Sequence, residues 1–177
     1  MKTNAPQRAP HVIKQPARGR AAEHDEYGRE HKGIVICPDC GNVHYHKRWW
    51  HNSDPGLKKL VSLKYRQAAH TRCPSCAMVA AHLYEGELLI AHVPKAFARE
   101  LANLVKHVGK TAAAIDPQDR IIATEKEGTD WRITTTENQL TDRLAKKIRD
   151  TFKHHTRVRI SHSREPYEVD RVRVTFA

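Results

Sequence analysis

Four cysteines stand in two Cys-Pro-x-Cys pairs, Cys37-Pro38-Asp39-Cys40 and Cys73-Pro74-Ser75-Cys76, and the chain contains no others. Two thiolates separated by two residues can face one ion because the backbone between them bends tightly, and proline after each leading cysteine presets that bend. Gly41 supplies conformational freedom where the chain leaves the first pair. The spacing predicts one Zn2+ held tetrahedrally by Cys37, Cys40, Cys73 and Cys76. A site closed by four sulfurs has no position open to water or substrate, so the expected ion is structural and not catalytic. His44 and His46 stand close enough to the first pair to compete as ligands. A thioredoxin-like redox pair would need only one of the two motifs. Two disulfides would suit a secreted chain, but Met1 to Arg8 lack the apolar stretch of a signal peptide, which points to a reduced, cytoplasmic setting.

The elements that must position these cysteines form an interrupted zinc ribbon. Between Cys40 and Cys73 lie 32 residues, more than the roughly 15–20 of compact four-cysteine sites, so the ribbon carries an insertion. Gly33 to Ile36 is a short apolar strand entering the first pair, and Asn42 to Trp49 alternates as the returning strand. Asn52-Ser53-Asp54-Pro55-Gly56 marks a turn before a helical segment, Leu57 to Ala69, with Leu57, Leu60, Val61 and Tyr65 on one face. After the second pair, Leu83 to Ile90 reads as a turn and the last ribbon strand.

Composition changes at Pro94, which suits a helix start, and Phe97, Leu101, Leu104 and Val105 follow at helical spacing. Beyond the Asp116-Pro117 boundary, two strands (Arg120 to Glu125, Asp130 to Thr136) flank a Glu127-Gly128 turn. Thr136 and Gln139 form the pattern of a capping box before a helix with Leu140, Leu144, Ile148 and Phe152 every four residues. Two strands close the chain. The expected class is α+β: a disordered basic arm (1–32), a four-cysteine zinc-ribbon module with a helical insertion (33–93), a connecting helix and linker (94–117) and a small ββαββ domain (118–177).

The formal net charge is +11, and so large an excess of cations favours polyanions, of which nucleic acid is the commonest soluble one. Arg8, Arg18 and Arg20 lie in the arm, Lys47 and Arg48 precede Trp49 and Trp50, and Lys58, Lys59, Lys64, Arg66 and Arg72 lie in the insertion. In the closing strands, Arg157, Arg159, Arg171 and Arg173 alternate with apolar residues, so they share one face, which Arg132 can join from a neighbouring strand. Like charges facing each other across strands are unfavourable without a partner, and an RNA backbone would supply one. Pairing with Glu165, Glu168 or Asp170 is the alternative. No Gly-rich phosphate loop, Gly-x-Ser-x-Gly nucleophile motif or His-Glu-x-x-His metal helix occurs, so no catalytic residue and no small-molecule substrate are expected. No apolar run approaches the roughly 20 residues of a membrane span.

The basic leader, Cys-Pro-Asp-Cys-Gly followed by Arg48-Trp49, the long spacer, Thr-Arg-Cys-Pro-Ser-Cys and the segment Glu127-Gly-Thr-Asp-Trp-Arg-Ile133 with its following helix resemble a family of short, poorly described bacterial zinc-ribbon proteins. That layout is in turn distantly similar to the archaeal and eukaryotic export adaptor of the large ribosomal subunit. The resemblance implies contact with the ribosome or ribosomal RNA, in assembly, rescue or dormancy. A DNA-binding transcription regulator and a protein interaction adaptor are the alternative functions.

Overall fold

The computed structural model describes residues 33–162 and 169–177 of the chain. Its secondary structure is α+β, with two sheets of different size. The smaller contains β1 (Val35–Ile36), β2 (Val43–Tyr45), β3 (Arg48–Trp50) and β4 (Ala69–His70) in the order β3-β2-β1-β4. The expected single strand from Asn42 to Trp49 is instead a hairpin. His46 and Lys47 form its two-residue turn at φ 51° and 63°, and Tyr45 pairs with Arg48 on either side. Both turn residues take left-handed backbone, as a tight hairpin of this hand requires.

Asp54 starts the inserted helix α1 (Pro55–Lys64): its carboxylate accepts from the N–H groups of Gly56 and Leu57, and Pro55 presets the first turn. Leu57 is buried against Ile34, Ile36 and Val43, with Leu60 and Val61 packed beside them. After a 3-10 turn at Tyr65–Gln67, β4 returns parallel to β1, Val35 beside Ala69 and Ile36 beside His70. Parallel pairing has a direct consequence. Both strands run toward the same end of the sheet, and a cysteine pair follows each.

The second pair does not sit in a ribbon hairpin. Cys73 is the N-cap of α2 (Pro74–Ala81), so Cys76 lies in the first helical turn. His82 ends that helix in left-handed conformation, with its N–H and that of Leu83 returning to the carbonyls of Val79 and Met78.

The expected last ribbon strand is also placed differently. β5 (Gly86–Ala91) is the central strand of the larger sheet, whose order is β6-β7-β5-β9-β8, with β6 at Ile121–Glu127, β7 at Asp130–Thr135, β8 at Thr156–His162 and β9 at Asp170–Phe176. A continuous apolar run, Leu88-Leu89-Ile90, suits a strand flanked on both sides. The ββαββ segment therefore closes around a fifth strand, antiparallel to β7 and parallel to β9.

Two helices cover one face of this sheet. Helix α3 (Lys95–Ile115) follows Pro94, and α4 (Asn138–Thr151) carries the four-residue repeat, with Leu140, Leu144, Ile148 and the following Phe152 all buried. They enclose Leu88, Ile90, Ile133, Val172 and Val174. Phe97, Phe152 and Phe176 meet with ring centroids 5.4–6.0 Å apart and join the start of α3 to the ends of α4 and β9. The capping box does not form. Glu137 occupies the N-cap of α4, and Thr136 instead donates to the carbonyl of Gln118 and accepts from the N–H of Arg120. Strand pairing fixes Thr136 against the preceding loop and takes its hydroxyl away from the helix.

Gly86 sits where β5 passes beneath the buried Thr135 and Thr141 hydroxyls, which are 2.7 Å apart. A Cβ there would come within 1.9 Å of Thr141 Oγ1 and 2.4 Å of Thr135 Oγ1. Gly86→Ala is accordingly expected to destabilise the larger sheet by about 1–3 kcal/mol, seen as a lower midpoint in chemical denaturation with an unchanged m-value.

Candidate metal centre

Local backbone chemistry builds the first half of the centre. The turn from Cys37 to Asn42 is closed by Cys37 N–H to the Asn42 carbonyl and Gly41 N–H to the Cys37 carbonyl, each 2.9 Å, with Gly41 at φ 73°. Asn52 donates to the Cys40 carbonyl at 3.2 Å and steadies the turn from outside. The second half is the first turn of α2, where residues three apart share a face. The residues within the motifs also connect them. Asp39 of the first pair binds Arg72, which precedes the second.

The four sulfurs lie within 4.8 Å of one another, and Cys40 and Cys73 Sγ are 3.7 Å apart. A disulfide would need about 2.05 Å, and all four cysteines are free thiols. Metal–sulfur bonds of about 2.3 Å in a tetrahedron give a sulfur–sulfur edge of about 3.8 Å. Geometry and donor set therefore fit one metal ion. His44 and His46 are not members of the cluster: the His44 ring packs on Trp49 and that of His46 on Tyr45.

Electrostatics favour a cation here. Burial pushes the Cys73 and Cys76 thiols up. At Cys37 burial acts the same way, but the backbone N–H groups of Cys73, Cys40 and Asp39 outweigh it and bring the thiol down to about 7. Four thiolates this close repel one another unless an ion joins them.

One ligand-facing group comes from far along the chain. Arg120, at the entry to β6, donates from Nη1 to Cys76 Sγ at 3.2 Å and from Nη2 to Cys40 Sγ at 3.4 Å. Burial lowers its pKa, yet the sulfurs of Cys40 and Cys76 more than reverse this and raise it. Ser75, 1% exposed, donates its hydroxyl to the Gln118 carbonyl at 2.8 Å and its N–H to Gln118 Oε1 at 3.1 Å. The loop before β6 thus holds the cysteine cluster against the larger sheet. Nothing in the spacing of residues ties Arg120 or Gln118 to cysteines more than forty positions earlier.

The cations expected to meet phosphate divide into groups. Arg8, Arg18 and Arg20 lie outside the described residues. Lys58, Lys59, Lys64 and Arg66 are exposed on α1 and the turn after it, Lys47 is in the β2–β3 turn, and Arg48 lies over the Trp50 ring at 4.8 Å. Arg72 is engaged by Asp39. On the face of the larger sheet away from the helices, Arg132 and Arg171 clamp Glu87 at 2.6 and 2.9 Å, and Arg132 also meets Glu125 at 3.0 Å. This corrects the expectation that all five arginines present their charge outward. Their shared partner is a carboxylate inside the central strand, only 5% exposed and held by a guanidinium from each side, whereas Glu165 and Glu168 lie outside the described residues. A lone glutamate within the apolar run Gly86 to Ala91 was the signal for it.

Arg157, Arg159 and Arg173 are exposed, and none of them has an ion pair among the described residues. Arg159 and Arg173 are direct register partners. Charge on this face is therefore divided, with Glu125, Glu127 and Asp130 along β6 and β7 and the arginines along β9 and β8. No helix among the described residues is long and apolar enough to cross a membrane.

Three measurements test the centre and the Glu87 clamp. Elemental analysis of the purified chain is expected to find one metal ion, and Arg120→Ala to weaken its retention against a chelator by about 10–100-fold; affinity should fall as pH drops, because bound metal requires thiolates. Glu87→Ala removes the buried carboxylate that two half-buried guanidinium groups share and is expected to destabilise the fold by about 1–3 kcal/mol in a denaturant titration. No protein-family model matches the chain and no curated protein matches its sequence.

Proposed function

We propose that the chain is a non-catalytic, zinc-stabilised RNA-binding protein of the cytoplasm that docks on the ribosome through phosphate contacts to ribosomal RNA. The observation that carries this reading is the exposed Arg159–Arg173 cross-strand pair with Arg157 one step along the same face. Directly opposed residues on neighbouring strands have Cα atoms about 4.5–5.5 Å apart, so two guanidinium groups there repel unless an anion lies between them. A ribose-phosphate chain places charges at suitable intervals, and arginine binds phosphate through two parallel N–H donors. The net charge of +11 favours approach to such a polymer from any side. The exposed lysines of α1 would add contacts near the metal centre, and ribosomal RNA is the partner that the motif resemblance implies.

In this reading Zn2+ is the ion at Cys37, Cys40, Cys73 and Cys76, because an all-thiolate tetrahedral site suits it. The ion supplies folding energy and no chemistry on a substrate. Arg120 balances the negative charge of the thiolates, and the Ser75–Gln118 bonds keep the α1 cations in place relative to the sheet.

Anisotropy titrations with a ribosomal RNA fragment test this. Affinity is expected to fall steeply as salt rises, and the Arg157→Ala, Arg159→Ala, Arg173→Ala triple variant to lower the log–log salt slope by about 2. Salt-independent binding, or preference for duplex DNA in competition, would count against it. In lysate fractionated on a sucrose gradient the chain should migrate with ribosomal particles and leave them in high salt.

A further inference from the structure

Away from the arginine face, a groove of about 630 Å3 runs between α3 and the edge strand β6. Small side chains on α3 open it: Ala102 and Gly109 line its helix wall, and Gly109 approaches β6 so closely that a Cβ would lie 2.5 Å from Ile121 Cδ1. Lys106 and Lys110, one helical turn apart, stand on its rim, with Lys126 on the strand side. No carboxylate is among its lining residues. It is thus apolar at the floor and cationic at the edge.

The strand beside it has backbone groups to offer. Among the described residues, β6 pairs only with β7. Glu127 and Asp130 flank the two-residue turn and form the closing pair, so the N–H and C=O groups of Glu125 and Ala123 point to β7 by alternation. Those of Thr124 and Lys126 then point to the open edge, and the same two residues line the groove. An unpaired edge of this kind is a template for another strand.

We propose that this groove binds an extended acidic peptide segment of a partner protein, which adds to β6 as a sixth strand. Its backbone pairs with Thr124 and Lys126; the side chains that alternate toward α3 carry the carboxylates, which meet Lys106 and Lys110, and the apolar ones between them lie on the opposite face of the strand. This is the strand-addition mode of peptide recognition, in which main-chain bonds supply affinity and the groove supplies selectivity. Single-stranded RNA fits the groove less well. Trp131, the one aromatic residue in its lining, is 4% exposed, and Lys126 Nζ lies 3.9 Å from the centre of its ring, so no open aromatic face is left for a base.

The test is an amide NMR titration of the full chain with the heptapeptide acetyl-(Glu-Val)3-Glu-amide, about the length of β6. Shifts are expected at Thr124 and Lys126 and along Lys106 to Lys110, with the peptide bound about tenfold or more weaker by a Lys106→Glu, Lys110→Glu variant whose remaining spectrum is unchanged. The same peptide N-methylated at alternate residues, added to the unaltered protein, should lose binding in one of its two methylation registers, and this arm does not depend on any variant folding. Equal binding of a peptide with lysine in place of glutamate would overturn the proposal, as would shifts confined to other surfaces. Displacement of the acidic peptide from these residues by a single-stranded RNA oligomer would assign the groove to nucleic acid and overturn it too.

Discussion

Four sulfur atoms brought within 4.8 Å of one another form the constraint on which the rest of this structure depends. Thiols can be so close without bonding, but they cannot all be charged there unless positive charge is supplied. A metal ion fits inside the cluster, and Arg120 reaches two of the sulfurs from its side. The small sheet offers little else to hold it together. Its apolar cluster consists of Ile34, Ile36, Val43 and Leu57 with a few half-buried neighbours, and a core of that size is marginal in water. The parallel pairing of β1 with β4 is equally a consequence of the cluster, since both strands must deliver a cysteine pair to one point.

Arg120 gives the constraint a second reach. It enters β6, whose neighbour β7 contributes Arg132 to the clamp on Glu87. Glu87 in turn joins β7 to β9 across the central strand. Two half-buried arginines share one buried carboxylate, and Glu125 on Arg132 balances the second positive charge, which leaves the remaining exposed charge to separate toward the edges. Arg157, Arg159 and Arg173 lie at the β8–β9 side, and acidic residues lie at the β6–β7 side. A polyanion approaching this face meets attraction at one side and repulsion at the other, so it would be oriented as well as bound.

The helix-covered side has a different character. Phe97, Phe152 and Phe176 fix the start of α3 to the ends of α4 and β9, while small residues further along α3 leave a slot against β6. The two faces are thus suited to different tasks: one carries charge on a flat sheet, the other carries a slot beside an open strand.

Much of this was legible in the residues. The four cysteine ligands follow from spacing, because a two-residue gap has few ways to place two sulfurs. The four-residue repeat of α4, the Pro94 start of α3, the Gly128 turn and the arginine alternation of β8 and β9 are local patterns, and local patterns survive folding when nothing distant competes. Tertiary structure decided what depends on residues far apart in the chain. It moved Gly86–Ala91 from the ribbon to the centre of the larger sheet, where both edges of this apolar strand are paired. It took Thr136 from helix capping to a bond with Gln118. It also brought Arg132 and Arg171 together on one carboxylate, Glu87, which belongs to a strand more than forty residues away from either. Sequence periodicity tells which face a side chain shares; which opposite charge lies across the sheet is settled only when strands from different parts of the chain are paired.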